Sequence, residues 1–333
     1  MKRYLLIGAG FSRNWGGWLA SEVFEFLLGD PDVAASPELR DLLWKHQSTG
    51  GFEAALYELE RGAAPSMLRL ASKLRSATRR MFDTMNQAFK GAGLEFRQPS
   101  FGGDYPVRNF LLRFEAIFTL NQDLLLEYCY RGSADGLVDR TNVRTERSWQ
   151  LPGMKQLPVA DEQPIFPSAA GIWVPSDDCQ IANDQQRIIK LHGSSNWRTA
   201  ENSDLMILGG GKVQAIEREP VLKWYSQLFD ECLAQPDARL MVVGYGFRDE
   251  HINDALFRAM NRGLKLFVVD PQGADVGSVT NSVPRHAIGH RPTAFEDALR
   301  GALIGASRRN LSSTLSGDHI EYQKLERFLT SGI

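Results

Sequence analysis

Cysteine is scarce in this chain of 333 residues, which contains three: Cys129, Cys179 and Cys232. They are odd in number and far apart, and no two of them have a C-x-x-C spacing. Because a disulfide framework or a structural zinc ribbon needs paired cysteines, both are disfavoured. The pattern is typical of a reducing cytosol.

Long apolar segments and an excess of one charge are missing as well. No stretch approaches the roughly 18–20 apolar residues that span a bilayer. The N-terminus is like a signal peptide at first sight, but Gly8 and Gly10 interrupt the run early and no clear cleavage site follows. Since 38 Lys and Arg stand against 40 Asp and Glu, no overall basic bias points to nucleic acid, although a local patch remains possible. We expect a cytoplasmic protein with no membrane partner and no direct nucleic-acid binding.

Five short apolar segments, each bounded by glycine or polar residues, predict strands, and helical patterns separate them. Such alternation predicts an α/β fold, a Rossmann-like open parallel sheet with helices on both faces. The predicted strands are Arg3–Gly8, Ala116–Leu120, Ile188–Leu191, Leu240–Gly244 and Leu264–Val269.

The stretch from about residue 37 to 90 has a helical pattern throughout, with a long helix beginning at Pro65. We therefore predict a catalytic core of residues 1–28 and 107–310, a helical insertion of residues 29–106 and a C-terminal helical segment of residues 311–333. Residues 131–186 show little periodicity and are predicted to form a long irregular connection.

The stretch LLIGAGFSRNWGG, residues 5–17, is the first candidate functional motif. A glycine-rich turn between a strand and a helix lets the backbone approach a phosphate at the helix N-terminus. The dinucleotide fingerprint G-x-G-x-x-G would place its third glycine at Arg13, and helices stand where its second strand should be. A hydride-transferring enzyme is therefore disfavoured, and a merely structural tight turn is the alternative.

Polar residues follow each of the other predicted strands, on the side where open α/β sheets bind ligands. Taken singly, each could be a turn former or a helix cap, but together they predict a crevice. They are Asn121 and Asp123, then His192, Gly193, Ser194 and Ser195, then Gly244 and Gly246, and finally Asp270.

The order of these motifs resembles the sirtuin superfamily, most specifically in LIGAGFS, LNQD and KLHGS taken together. The stretch VVGYGFRDEHIN is similar to divergent bacterial sirtuin-like proteins associated with anti-phage defence. The resemblance covers the predicted α/β core and leaves out the helical insertion.

The resemblance implies that NAD is bound in the crevice. Asn121 matches the asparagine beside the nicotinamide ribose, Asp123 its acidic partner and His192 the catalytic histidine. The other positions are predicted to contact the cofactor: Gly8, Ala9, Gly10 and Ser12 at the pyrophosphate, Gly193, Gly244 and Gly246 along the crevice, and Asp270 at the adenosine ribose. Arg13 is left open between a ligand contact and a solvated ion pair.

The sequence departs from the protein-deacylating sirtuins in two ways, and both concern the substrate that the resemblance implies. The zinc ribbon is missing, and NWGGWLA stands where those enzymes have G-I-P-D-F-R. An acetyl-lysine substrate is thus in doubt, whereas cleavage of NAD needs only the core. The resemblance implies a NAD glycohydrolase that takes NAD as its substrate and uses no metal.

The residue types suit this chemistry. Departure of nicotinamide leaves an oxocarbenium-like ribose, as in glycoside hydrolysis. An asparagine amide donates and accepts hydrogen bonds, so Asn121 is predicted to orient the water and a ribose hydroxyl. His192 is predicted to take one proton, and Asp123 to fix the local hydrogen bonds.

Structural alternatives stand beside these roles. Asn121 could be a helix cap and His192 a satisfied loop histidine. Ser194 and Ser195 are better explained as caps of a turn than as nucleophiles, and Asp249 as the N-cap of a helix that carries His251. Lys212 receives no role.

Two other functions stay open: a non-catalytic module that binds NAD or ADP-ribose, and a sirtuin-type deacylase or ADP-ribosyltransferase. Because unchecked NAD hydrolysis would kill the host, we expect a switch. We expect a homo-oligomer that is activated on infection by oligomerisation or by a partner ATPase or helicase-like protein. Related systems pair a sirtuin-like subunit with a nucleotide-driven motor, so the resemblance points the same way. The 29–106 insertion is the expected contact surface.

Overall fold

The computed structural model describes residues 2–98, 103–130, 149–158, 169, 171–183, 185–277 and 292–330. Its strands are β1 (Lys2–Ile7), β2 (Glu95–Gln98), β3 (Gly103–Pro106), β4 (Ala116–Thr119), β5 (Trp149–Gln150), β6 (Met154–Gln156), β7 (Trp173–Pro175), β8 (Gln186–Lys190), β9 (Gly193–Arg198), β10 (Asp204–Met206), β11 (Ala238–Val243), β12 (Lys265–Val269) and β13 (Leu303–Ser307).

The helices follow in the same numbering. They are α1 (Ala9–Ser12), α2 (Ala20–Gly29), α3 (Pro31–Ala34), α4 (Pro37–His46), α5 (Gly51–Arg61), α6 (Pro65–Lys90), α7 (Val107–Leu111), α8 (Leu125–Tyr128), α9 (Lys212–Arg218), α10 (Pro220–Leu233), α11 (Glu250–Met260), α12 (Ala294–Ala302), α13 (Leu311–Leu315) and α14 (His319–Thr330). Proline stands in the first turn of α3, α4, α6 and α10, where its missing N–H costs no hydrogen bond.

The main sheet has seven described strands in the order β13-β12-β11-β1-β4-β8-β5, and every pair in it is parallel. The side chains of β4 and β11 are buried throughout, as expected for strands covered on both faces. The predicted Rossmann-like α/β fold is therefore confirmed. The strand order reverses at β1, with β4 on one side and β11 on the other, so the crevice of this sheet lies at the carboxyl end of β1.

The five predicted strands correspond to β1, β4, β8, β11 and β12. Two edge strands, β13 and β5, were missed. The sequence of β13, LIGAS, has one fully buried residue and an exposed Ile304, so it lacks the apolar run that marks a central strand. β5 is two residues long.

Helices α4 to α6 form in the stretch where the sequence predicts helix, whereas α3 precedes it. The description of residues 29–106 as helical is wrong at its end, because β2 and β3 form an antiparallel hairpin there. The buried apolar residues of these helices belong to the same continuous core as those of the sheet. The division into core, insertion and C-terminal segment stays a prediction.

A second sheet has the order β10-β9-β7-β6. It corrects two predictions. Ser194 and Ser195 lie in strand β9 and do not cap a turn. The predicted irregular connection over residues 131–186 lies partly outside the described residues, and in its described part it contains β5, β6 and β7.

None of the described helices combines the length and the apolarity needed to cross a bilayer.

Candidate functional site

The opening turn joins β1 to α1 and packs against the turn that follows β11. The N–H of Gly10 donates to the carbonyl oxygen of Gly244 at 3.0 Å. A Cβ on Gly10 would lie 2.6 Å from the Cα of Gly244, and a Cβ on Gly8 would lie 2.6 Å from its oxygen. Gly244 itself has φ +62°, which favours glycine. The close contact of the two turns therefore explains why these positions are glycine. Their contact with NAD stays a prediction.

Ala9 and Arg13 lie on the exposed side of this turn. Ala9 is the first residue of α1, where a backbone N–H has no partner within the helix. Such an N–H suits a phosphate oxygen. The half-exposed Arg13 forms an ion pair with Glu22, so the ion-pair alternative is the arrangement found.

Asn121 follows β4 and reaches across to the opening turn. Its amide Nδ2 donates to the carbonyl oxygen of Gly8 and to Oγ of Ser12, both at 3.0 Å. Because a carbonyl only accepts, the amide nitrogen must face Gly8, and Oδ1 is left as an acceptor without a partner among the described residues. The helix-cap alternative is wrong, since the N-cap position of the next helix, α8, is Leu124.

Ser12 and Asp123 continue this network inward. Ser12 is buried, and its hydroxyl donates to Oδ2 of Asp123 at 2.8 Å. The other oxygen, Oδ1, accepts from the N–H of Leu125 at 3.0 Å. Burial raises the pKa of Asp123, opposed by the nearby charge of Lys190 and by the bond from Ser12. Asp123 thus holds Ser12 behind Asn121, whereas its catalytic role and a direct contact of Ser12 with pyrophosphate stay predictions.

A buried ion pair lies under this network, and the sequence did not lead us to predict it. Nζ of Lys190 donates to the main-chain oxygen of Asp123 at 2.6 Å and to Oε1 of Glu127 at 2.7 Å, and both side chains are fully buried. The available signal was a lysine inside an apolar strand, two residues before His192 and hence on the same face of the extended chain. An interior lysine of this kind needs a carboxylate partner.

His192 follows β8 and is 2% exposed. Its Nε2 lies 3.0 Å from Nε2 of His251, with the two ring centroids 5.1 Å apart. Burial, assisted by the charge of Lys212, lowers the pKa of His192 to about 3, although Asp249 acts in the opposite direction. His192 is therefore neutral at physiological pH.

Asp249 and Lys212 complete the surroundings of this histidine pair. Asp249 occupies the N-cap position of α11, but its side chain makes no capping bond, which corrects that part of the prediction. Its Oδ1 instead accepts from Nζ of Lys212 at 2.7 Å, and the same ammonium contacts Glu53 of α5 at 2.9 Å. Burial would lower the pKa of Lys212, but the two carboxylates raise it above its usual value.

The remaining predicted positions lie along the same edge of the sheet. Gly193 has φ +74°, and a Cβ there would lie 2.1 Å from the carbonyl oxygen of Leu205. Gly246 is exposed. Asp270 ends β12, where its Oδ1 accepts from the N–H of Gln272 at 2.9 Å, and burial raises its pKa. Their predicted contacts with the cofactor stay predictions.

A cation could in principle be held where His192, Asp249 and His251 converge, since their ligand atoms lie within 4.8 Å of one another. Two imidazoles and a carboxylate suit Zn²⁺. However, the ammonium of Lys212 already neutralises Asp249 and would repel a second cation. The cluster is explained by one hydrogen bond and one ion pair, and the expected absence of a metal stays a prediction.

Three basic residues on α6 form ion pairs within the chain. Arg75 contacts Glu60, Arg79 contacts Asp204, and Arg80 contacts Asp30 at 2.7 Å. This favours a solvated structural face over a strip that binds nucleic acid.

The fold is an open parallel α/β sheet. A glycine turn and polar side chains lie where the strand order reverses, which is where such sheets bind ligands. Residues 115–278 match the family model of the SIR2-like domain. The chain therefore contains a sirtuin-like domain, and such domains use NAD as a substrate. The matched range includes Asn121, His192 and Asp249, while the opening turn precedes it. No curated protein matches the chain at a significant level.

Proposed function

We propose that the protein is a NAD glycohydrolase that releases nicotinamide and ADP-ribose. The observation that supports it best is the placement of Asn121 and His192 on neighbouring strands. Thr119 of β4 pairs with Lys190 of β8, and each functional residue lies two positions further on. Because adjacent strands lie about 4.8 Å apart, both residues stand at the same edge of the sheet, and Asn121 contacts the opening turn there.

Asn121 has a defined role in this proposal. Both of its amide hydrogens are engaged by Gly8 and Ser12, so its orientation is fixed before substrate binds. The remaining oxygen accepts a hydrogen bond from the attacking water or from a ribose hydroxyl. Because the amide is uncharged, it orients water without forming an ion pair with the cationic ribosyl centre.

His192 supplies the base. A buried neutral imidazole accepts the proton that the ribose hydroxyl or the water loses as the glycosidic bond breaks. Asp123 stays behind Ser12 and acts by fixing Asn121, since its two oxygens are occupied by Ser12 and Leu125. Nicotinamide is lost as a neutral leaving group, so no metal is needed to neutralise it.

The test is nicotinamide release from NAD by the purified full chain. We expect Asn121→Ala and His192→Ala each to lower the rate by about a hundredfold or more. Asn261→Ala, at the exposed C-terminal end of α11, and His319→Ala, at the exposed start of α14, are matched controls and are expected to keep the wild-type rate. Full activity in either site variant contradicts the role of that residue, and tight NAD binding without turnover in the wild type favours a binding module instead.

The proposal extends to regulation. We propose that the protein is a homo-oligomeric anti-phage effector that depletes NAD in the cytoplasm when a partner ATPase or helicase-like protein activates it. The resemblance to defence proteins and the large helical module of residues 29–106, which carries no catalytic motif, support this. Equal nicotinamide release by monomer and assembly, at matched subunit concentration and with or without the partner, contradicts it.

A further inference from the structure

His192 and His251 meet through the same ring atom, Nε2, at 3.0 Å. At this distance one nitrogen must donate and the other accept, so exactly one of the two carries a proton there. Among the described residues His192 has no other side-chain hydrogen bond. This contact is therefore what orients its ring.

The direction of the bond decides whether His192 has a basic nitrogen left. If His192 donates from Nε2, its Nδ1 is bare and accepts a proton from substrate. If His251 donates instead, a neutral His192 carries its proton on Nδ1 and its Nε2 accepts from His251, so neither nitrogen is free to take a proton from substrate. The function of a base thus requires His251 to be the acceptor.

Neighbouring groups hold His251 in place. It lies in the first turn of α11, and Tyr245 fixes the start of that helix by accepting from the N–H of Asp249 at 3.2 Å. Lys212 anchors the Asp249 side chain at 2.7 Å and reaches Glu53 on the far side at 2.9 Å. The imidazole pair is thereby bordered by a three-membered ion bridge from α11 to α5.

The segment of residues 207–212 connects the same two regions through its backbone. The N–H of Ile207 donates to the carbonyl oxygen of His192 at 2.9 Å. Gly210 lies flat on Tyr57 of α5, since a Cβ there would come within 2.6 Å of the ring. A shift of α5 would therefore reach His192 by two routes, one electrostatic and one through the main chain.

The charges agree with a pair of neutral rings. Burial lowers the pKa of His251, as it does that of His192, and Lys212 adds to both effects while Asp249 opposes them. If both rings were imidazolium ions, two donors would face each other at 3.0 Å. A single proton between two neutral rings is the arrangement that fits.

We propose that His251, which lies beside the Glu53–Lys212–Asp249 ion bridge, is a positioning residue that accepts from Nε2–H of His192 and so selects the tautomer with a bare Nδ1. Because the bridge includes Glu53 of α5, we expect a displacement of α5 to affect which nitrogen of His192 carries the proton. The catalytic consequence rests on the NAD glycohydrolase function proposed above, whereas the tautomer is a property of the protein without substrate.

The direct test is long-range ¹H–¹⁵N correlation NMR of the histidine rings in the full chain, with His192 assigned through His192→Gln. We expect a neutral His192 protonated on Nε2 in the wild type. His251→Phe keeps a ring but removes the acceptor, and we expect it to move the proton to Nδ1 in a substantial fraction of molecules. His251→Gln restores an acceptor and is expected to restore the wild-type signal.

Two results overturn the proposal. One is a wild-type His192 protonated on Nδ1, and the other is an unchanged tautomer in His251→Phe. Should His251→Phe fail to fold, Lys212→Met probes the same arrangement. It breaks the ion bridge beside His251, and we expect it to move part of the His192 proton to Nδ1 as well, with Lys212→Arg keeping the wild-type signal and Lys223→Met, in an exposed pair with Glu217, as the matched control. An unchanged tautomer in Lys212→Met also overturns the proposal.

Turnover gives a separate readout. We expect His251→Phe to lower kcat by about tenfold to a hundredfold with KM for NAD changed less than about twofold, because the base is lost while binding is kept. His319→Phe, in the exposed first turn of α14, is the matched control. A wild type that releases no nicotinamide but shows the expected tautomers contradicts the proposed function and leaves the positioning role standing. An active wild type with unchanged tautomers in His251→Phe contradicts the positioning role and leaves the proposed function standing.

Discussion

Nζ of Lys190 lies 2.6 Å from the main-chain oxygen of Asp123, and the bond is buried directly under the candidate crevice. The same ammonium neutralises Glu127, so a charged pair sits where the ends of β4 and β8 meet. Asn121 is two residues before Asp123, which means that its position depends on this pair. Stability and site geometry are therefore coupled through Lys190.

We expect Lys190→Met to lower the free energy of unfolding by about 3–5 kcal/mol, because it leaves the Glu127 carboxylate buried without a counter-charge. Oε2 of Glu127 already has no hydrogen-bond partner, so no other donor is at hand to replace the ammonium. Chemical denaturation monitored by circular dichroism measures the change.

Lys223→Met is the control for that substitution, since its pair with Glu217 is about half exposed and should contribute less than about 1 kcal/mol. The double variant Lys190→Met with Glu127→Met should regain part of the loss, but not all, because the oxygen of Asp123 still lacks its donor. A loss no larger than that of Lys223→Met would contradict a structural role for the buried pair.

Periodicity predicted the central strands because their side chains are buried on both faces, which leaves an apolar run in the sequence. It failed for β13, where Ile304 is exposed and glycine follows. Short edge strands are determined by a neighbour that supplies hydrogen bonds, and that neighbour, β12, is distant in sequence. The same reasoning applies to the second sheet, whose strands β7 and β9 pair across more than 20 residues.

The candidate site was predictable to the extent that its residues follow strands. Asn121 and His192 were found because each comes after an apolar segment and matches a motif. The ion bridge beside His192 was not predictable, because Lys212 is the first residue of α9 and Glu53 lies on α5, both far from these motifs in the sequence. Only the folded chain brings those two to His251.

We expect Gly10→Ala to destabilise the protein by about 1–3 kcal/mol or more, since the new methyl group would meet the backbone of Gly244, which cannot move aside as a side chain can. Gly301→Ala is the matched control. It stands in α12 with open space around it, and should stabilise by about 0.5–1 kcal/mol. Thermal unfolding compares the two variants, and equal effects contradict the close contact of the two turns.

We expect dialysis against a chelator to leave nicotinamide release unchanged and the metal content far below one ion per chain. The physical reason is the Lys212 ammonium on Asp249, which occupies the carboxylate that a cation would need. Elemental analysis and the rate assay, each before and after dialysis, provide the measurement. Loss of a stoichiometric metal together with activity, reversed by adding it back, contradicts this prediction.

Acid should destabilise the protein through His192. Its folded pKa of about 3 lies below the ordinary value near 6.5, so between these two pH values the unfolded chain binds a proton that the folded chain does not. The stabilising contribution of the neutral ring is complete above about pH 6.5 and is lost progressively as the pH falls toward 3, with a slope of up to about 1.4 kcal/mol per pH unit. His192→Gln has no titrating ring, so its stability should fall less steeply over that interval. Urea unfolding of both proteins at a series of pH values measures the difference in slope. Parallel curves would contradict a lowered pKa of His192 in the folded protein.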